Sequence, residues 1–145
     1  MFKNFRELFK GSALSHAEET GSDPSLVQIA SSGKLNLSCW STERVDGRRV
    51  DIFVPTSEKP PETAVLFLHG HAQVFLNENP VFSRLFQRHG LVAICPDAGQ
   101  SWWLDVLCRE FDAEQSPQDW LINSILPFIE QRFSVAPPKI ALLGV

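Results

Sequence analysis

The chain has 145 residues, about the size of one ordinary domain. Its 43% hydrophobic and 21% charged residues exclude a disordered or fibrous polymer. Thirteen basic against seventeen acidic side chains leave a net charge of −4, which gives no electrostatic basis for binding nucleic acid or an anionic membrane. The three cysteines, Cys39, Cys95 and Cys108, are odd in number and irregularly spaced. They form neither a disulfide framework nor a zinc ribbon and are read as reduced thiols of a cytoplasmic protein, with Cys95 as small core filler. No stretch approaches the ~18 apolar residues of a membrane span.

The N-terminus lacks the apolar core of a signal peptide, because Lys3, Asn4, Arg6, Glu7 and Lys10 interrupt it. Phe2, Phe5, Leu8 and Phe9 can share one face of a short amphipathic helix, either docked on the domain or serving as a lid or surface anchor. Residues 1–33, rich in serine and glycine, read as a flexible leader, and 34–145 as the domain. A first strand is expected over Lys34–Ser41, with Leu35, Leu37 and Cys39 on one face. A second is expected over Arg48–Val54, with Val50, Ile52 and Val54 on one face. Asp46-Gly47 between them is a hairpin turn signal, and Pro55 ends the second strand.

Ala64–Leu68 is apolar at every position, the pattern of a strand buried on both faces in a parallel sheet. Asn79-Pro80 opens a helix carrying Phe82, Leu85, Phe86 and His89, and Gly90 closes it. Leu91–Cys95 is a second buried strand, ended by Pro96. Residues 97–115 form a long connection, and such connections are often functional. Ser116-Pro117-Gln118-Asp119 opens another helix, with a buried stripe of Ile122, Ile125, Ile129 and Phe133 and a kink at Pro127. Lys139–Val145 is a third buried strand. The order predicts an α/β fold: a mixed, mostly parallel sheet of about five strands with an antiparallel N-terminal hairpin and flanking helices.

Chemistry is expected past the carboxyl ends of the parallel strands. After Leu68 comes His69-Gly70-His71, where Gly70 permits a sharp turn and leaves the His71 amide free to stabilise an oxyanion. The chain closes on Leu142-Leu143-Gly144-Val145, a strand running into the Gly-x that begins a Gly-x-Ser-x-Gly nucleophile elbow. Each signal alone is weak.

Five pieces in fixed order are more specific. They are Val65–Gly70, Cys95-Pro96-Asp97, Gly99–Asp105, Leu126–Glu130 and Ile140–Val145. From about Arg48 onward the chain resembles the esterase D type family of α/β hydrolases, which includes S-formylglutathione hydrolases, feruloyl esterases and mycolyltransferases. The resemblance implies the N-terminal half of an α/β-hydrolase fold, with the nucleophilic serine expected immediately after Val145. It implies a carboxylic ester hydrolase working through an acyl-enzyme, a small-molecule ester as substrate, and no cofactor or metal. It makes His71 a backbone donor to the oxyanion hole, Gly144 and Val145 the start of the elbow, and Trp102, Trp103 and Asp105 a segment beside the substrate pocket.

Other readings of the same residues stand beside these. His69 and His71 can begin a metal site, yet the spacing of further ligands does not follow, and His69 is read as pinning the loop through a hydrogen bond. Asp97 reads as structuring its loop through an Asx-turn or as reaching the cleft. Trp102 and Trp103 are a pocket wall or ordinary packing, and Asp105, Glu110, Asp112 and Glu114 are solvated charge rather than a calcium loop. Since a Ser/Asp/His triad follows the elbow in chain order, this chain is expected to be inactive alone. The alternatives are a non-catalytic remnant or split-protein half and, more distantly, a metal-dependent hydrolase. A last strand without its outer neighbour would expose an apolar edge and favour self-association.

Overall fold

A two-residue hairpin sets the first pairing. Asp46 and Gly47 both take positive φ, 50° and 78°, the backbone whose twist matches that of the flanking strands. The strands it joins, β1 (Trp40–Val45) and β2 (Arg48–Phe53), are antiparallel, with Val45 opposite Arg48. The structure, a computed structural model, describes residues 39–144. Residues 1–38, with the expected leader and helix and most of the first expected strand, lie outside the described residues, as does Val145. The first strand therefore differs from the expected Lys34–Ser41: it runs up to the turn itself. A two-residue loop leaves no room for the longer gap, residues 42–47, that the alternation of Leu35, Leu37 and Cys39 suggested.

Three further strands complete one sheet: β3 (Ala64–Leu68), β4 (Val92–Pro96) and β5 (Ile140–Gly144). The spatial order is β1-β2-β4-β3-β5. β2 pairs antiparallel with β4, while β3 lies parallel to both β4 and β5. Strand direction follows the connections, since parallel neighbours need a long crossover. Helix α1 (Pro80–His89) carries the chain from β3 to β4. A helical run from Pro117 to Phe133 carries it from β4 to β5.

Apolar alternation divides the core into two layers. Val50, Ile52, Ala64, Leu66, Val92, Ile94 and Ile140 face Trp120, Leu121, Ile125, Leu126 and Ile129. Phe53, Val65, Phe67, Ala93 and Cys95 face Leu76 and Phe86 on the other side. β3 and β4 are therefore covered on both faces, which their continuous apolar runs require. Burial also pushes the Cys95 thiol far above its ordinary range, with the neighbouring Asp51 charge adding to it, so it stays protonated and inert.

The helix ends follow the sequence signals. The Asn79 side chain accepts from the Val81 amide at 3.0 Å with Pro80 in the first turn, and Gly90 closes α1 at φ 63°. Ser116 accepts from the Asp119 amide at 3.0 Å and caps α2 (Pro117–Trp120). The irregularity expected at Pro127 takes the form of a π turn over Leu121–Ile125, closed by the Leu126 amide donating to the Leu121 carbonyl, before α3 (Leu126–Phe133). The wider turn moves carbonyls away from the proline ring, which would clash in a regular helix. It also shifts the phase of the buried stripe. Trp120 and Leu121 face the sheet, while Ile122 and Phe133, expected in the stripe, are only half-buried.

Candidate functional site

The site is positioned by the register of β3 against β5. Leu66 lies opposite Leu142, Phe67 opposite Leu143 and Leu68 opposite Gly144. Both strands point the same way, so the His69-Gly70-His71 turn leaves the sheet beside the carboxyl end of β5 at Gly144. A Cβ built on Gly144 would stand 3.7 Å from the Leu68 carbonyl oxygen, ordinary contact, so that position is close to β3 but not crowded.

The turn after β3 is closed by the Gln73 amide donating to the Gly70 carbonyl at 2.9 Å. The same carbonyl lies 3.0 Å from His69 Nδ1, and the Ala98 amide donates to His69 Nε2 at 3.1 Å. Since Nε2 accepts, Nδ1 must carry the proton and donate to Gly70. His69 is 3% exposed and has both ring nitrogens engaged. Asp97 Oδ1 lies 3.7 Å from Nε2, but a bare nitrogen makes no ion pair with it; that oxygen accepts instead from the Gly99 amide at 2.9 Å. The Ser101 hydroxyl donates to the Ala98 carbonyl at 2.6 Å, closing the turn after β4. His69 thus joins the two loops that follow β3 and β4.

The tryptophans differ. Trp103 is half-buried, donates from Nε1 to the His69 carbonyl at 2.9 Å, and sets its ring edge-on to the imidazole at 5.2 Å. Trp102 is 69% exposed, with its ring stacked on that of His71 at 6.4 Å and 17° between planes. The His71 side chain is exposed, and its amide donates to no partner among the described residues. Asp105 is drawn to the start of α2, where the Ser116 hydroxyl donates to it at 3.0 Å. The structure therefore brings His69, Gly70, His71, Asp97, Trp102, Trp103 and Gly144 to one end of the sheet, with Asp105 at the adjoining helix cap. Among the described residues no group of three or more histidine, cysteine or acidic side chains is placed to hold a metal ion. No helix there is long and apolar enough to cross a membrane.

Several supports were not singled out by sequence. Arg48 pairs with Asp112 and lies over the rings of Phe111 at 4.2 Å and Trp120 at 5.5 Å, fastening the far end of the long connection to β2. Asp112, expected from the sequence to be solvated charge, instead pairs with Arg48 and also accepts from the amides of Glu114 and Gln115 at 2.8 and 3.1 Å. The Asp51 carboxylate is buried among Arg49, Thr42 and Asn77. A charged residue inside an alternating strand was the available signal. It reads as a solvent face unless a partner is known to cover it.

No family model matches the chain, and no curated protein matches it by sequence. Solved structures do match. The S-formylglutathione hydrolase of Agrobacterium tumefaciens aligns over 72% of this chain and 46% of its own, at 16% identity and a TM-score of 0.55. A fluorophosphonate-binding serine hydrolase of Staphylococcus aureus aligns over 67% and 40%, at 15% identity and 0.54. A ferulic acid esterase aligns over 72% and 47%, at 17% identity and 0.52. The chain thus spans less than half the length of these proteins. What it shares with them is the fold: a mixed five-stranded sheet corresponding to part of an esterase α/β-hydrolase fold.

Two outcomes follow from this geometry. Nitrogen-15 NMR of His69 will show Nδ1 protonated and Nε2 bare, and His69→Ala, which strands the Ala98 amide, will cost about 1–3 kcal/mol in urea unfolding. A protonated Nε2 would contradict the hydrogen-bond assignment. The Asp112 carboxyl is held below its ordinary 3.8, chiefly by the Glu114 amide; desolvation opposes this, and Arg48 and the Gln115 amide add to the lowering. A depressed carboxyl stabilises the fold above that ordinary value and loses the contribution as pH falls through its lower folded value. Asp112→Asn will therefore flatten the loss of urea resistance below about pH 4; an unchanged acid limb would show that the contact carries no linkage.

Proposed function

We propose that the chain is the N-terminal portion of a serine carboxylic ester hydrolase of the esterase D type, working through an acyl-enzyme. In this reading the His71 amide is one donor of the oxyanion hole, and Gly144-Val145 begins the nucleophile elbow. Trp102, Trp103 and Asp105 border the ester substrate, while His69, Gly70 and Asp97 structure the loops. The observation that carries it is the pairing of Leu68 with Gly144. A strand-end amide and the start of an elbow must be neighbours if one is to stabilise the oxyanion created by attack from the other. The likeness of fold to an S-formylglutathione hydrolase, a serine hydrolase and a ferulic acid esterase supports the same reading.

The 145 residues alone are proposed to be inactive. His69 has no nitrogen free to act as a base. His89 sits exposed in the last turn of α1, at the opposite end of the β3–α1–β4 unit from the start of that helix. Loss of the serine or histidine of a triad lowers kcat on the order of a millionfold. The purified chain will give no hydrolysis of p-nitrophenyl acetate above buffer and no labelling by a fluorophosphonate. Robust turnover abolished by that reagent would refute the assignment of the nucleophile to a position beyond Val145.

A second reading is favoured by β5 itself. Leu142 is 40% exposed, and the outer edge of β5 pairs with no strand among the described residues. An apolar strand with an open edge is a template for another strand. As a non-catalytic unit, the chain would self-associate along that edge. Light scattering of the 145-residue chain will then report a dimer or larger, and Leu142→Lys will return it towards monomer; a monodisperse monomer of the unmodified chain would exclude this reading.

A further inference from the structure

A polar cluster lies beside the loop that carries His71. β2 runs antiparallel to β4, with Asp51 opposite Cys95 and Val50 opposite Pro96. The first half of β2 therefore lies at the carboxyl end of β4, where the candidate site is. Asp51 is 2% exposed, yet each of its oxygens has two donors. Oδ1 accepts from Thr42 Oγ1 at 2.7 Å and Arg49 Nε at 2.9 Å; Oδ2 accepts from Arg49 Nη2 at 2.7 Å and Asn77 Nδ2 at 3.1 Å. A buried carboxylate is tolerated only when paired and hydrogen-bonded in this way.

The partners belong to different elements. Thr42 comes from β1 and Arg49 from β2, two residues from Asp51 and so on the same face. Asn77 comes from the short 3₁₀ turn Leu76–Glu78, in the loop between β3 and α1. Arg49 also lies over the Phe75 ring at 4.8 Å, and that ring stands edge-on to His69 at 6.1 Å. Asp51, first by its hydrogen bond and then by its charge, keeps the guanidinium firmly protonated against the cost of partial burial. Two residues of the 69–79 loop, Phe75 and Asn77, are thus held by one ion pair of the antiparallel hairpin.

We propose that Asp51 and Arg49 are positioning residues: acting through Asn77 and Phe75, they fix the loop that presents the His71 amide. The catalytic consequence rests on the reading of that amide as an oxyanion donor; the fixing of the loop does not. An amide that is to receive a developing charge must be held in place beforehand, and this turn has its own backbone bond only from Gln73 to Gly70. His69 and Trp103 restrain the start of the loop, and a pair that grips it from β2 adds a restraint farther along, at Phe75 and Asn77.

Backbone hydrogen exchange by NMR on the 145-residue chain tests the proposal. The Gln73 amide reports the turn, and the amides of Val92–Cys95 report the core. Asn77→Ala removes only the loop's half of the link; it will raise Gln73 exchange at least tenfold and leave the β4 amides within twofold. Arg49→Lys, which keeps the charge but not the fork, will give a smaller rise. Thr42→Val, which alters only the β1 side of the cluster, will leave Gln73 within threefold. An unchanged Gln73 rate in Asn77→Ala, or a rise matched by the β4 amides in every variant, would overturn the proposal. Neither result depends on ester hydrolysis, so phosphonate-sensitive activity of the chain would refute the placing of the nucleophile beyond Val145 and leave this proposal standing.

Discussion

Leu68 and Gly144 are neighbours because β3 is held on four sides. Its two edges take hydrogen bonds from β4 and β5, and its two faces are covered by opposite layers of the core. In a strand, a slip of one residue sends every side chain to the other face. With Ala64 and Leu66 in one layer and Val65 and Phe67 in the other, the helices on each side are fitted to different side-chain volumes, so a slipped register would misfit both. The register against β5 is thereby fixed, and with it the relation between the turn at Gly70 and the end of β5. Every chemical statement about the site depends on that relation.

The loops above the sheet are organised by polar groups rather than by apolar packing. His69 is the central one, bonded to the loop after β4 through Ala98 and to its own turn through Gly70, with its carbonyl taken by Trp103. The cations of the hairpin act around it. Arg49 holds the loop after β3, and Arg48 holds the far end of the long connection through Asp112 and Phe111. Adjacent residues of β2 point to opposite faces, so these two arginines serve the two sides of the sheet. β2 is thus both an interior strand, between β1 and β4, and the anchor for both loops bordering the candidate site.

Elements with strong local signals were legible in the sequence. Continuous apolar runs placed β3, β4 and β5 to within a residue or so, and capping residues placed Asn79, Gly90 and Ser116 at the helix ends where they stand. The expected burial of β5 does not hold: only Ile140 is buried, because β5 is the end strand among the described residues and lies beyond the helices that cover β3 and β4. Asp46-Gly47 located the hairpin, though not the end of its first strand, since polar β1 carries little hydrophobic alternation. The phase of the run from Pro117 to Phe133 was misread because periodicity assumes a constant turn, and the π turn before Pro127 breaks it. The residues of the candidate site nearest the strand ends could be named in advance, because ligands gather there in open α/β sheets. Their polar supports could not. Asn77 is 26 positions from Asp51, and nothing in local sequence pairs it with Asp51 or Arg49; only the folded sheet does.

The account rests most directly on the adjacency of β3 and β5 in solution. Nuclear Overhauser contacts in an isotope-labelled sample measure it residue by residue. Cross-strand peaks are expected between Leu66 and Leu142 and between Leu68 and Gly144, with extended backbone shifts through Ile140–Gly144. Absence of those peaks, or helical contacts three residues apart within Ile140–Gly144, would contradict it.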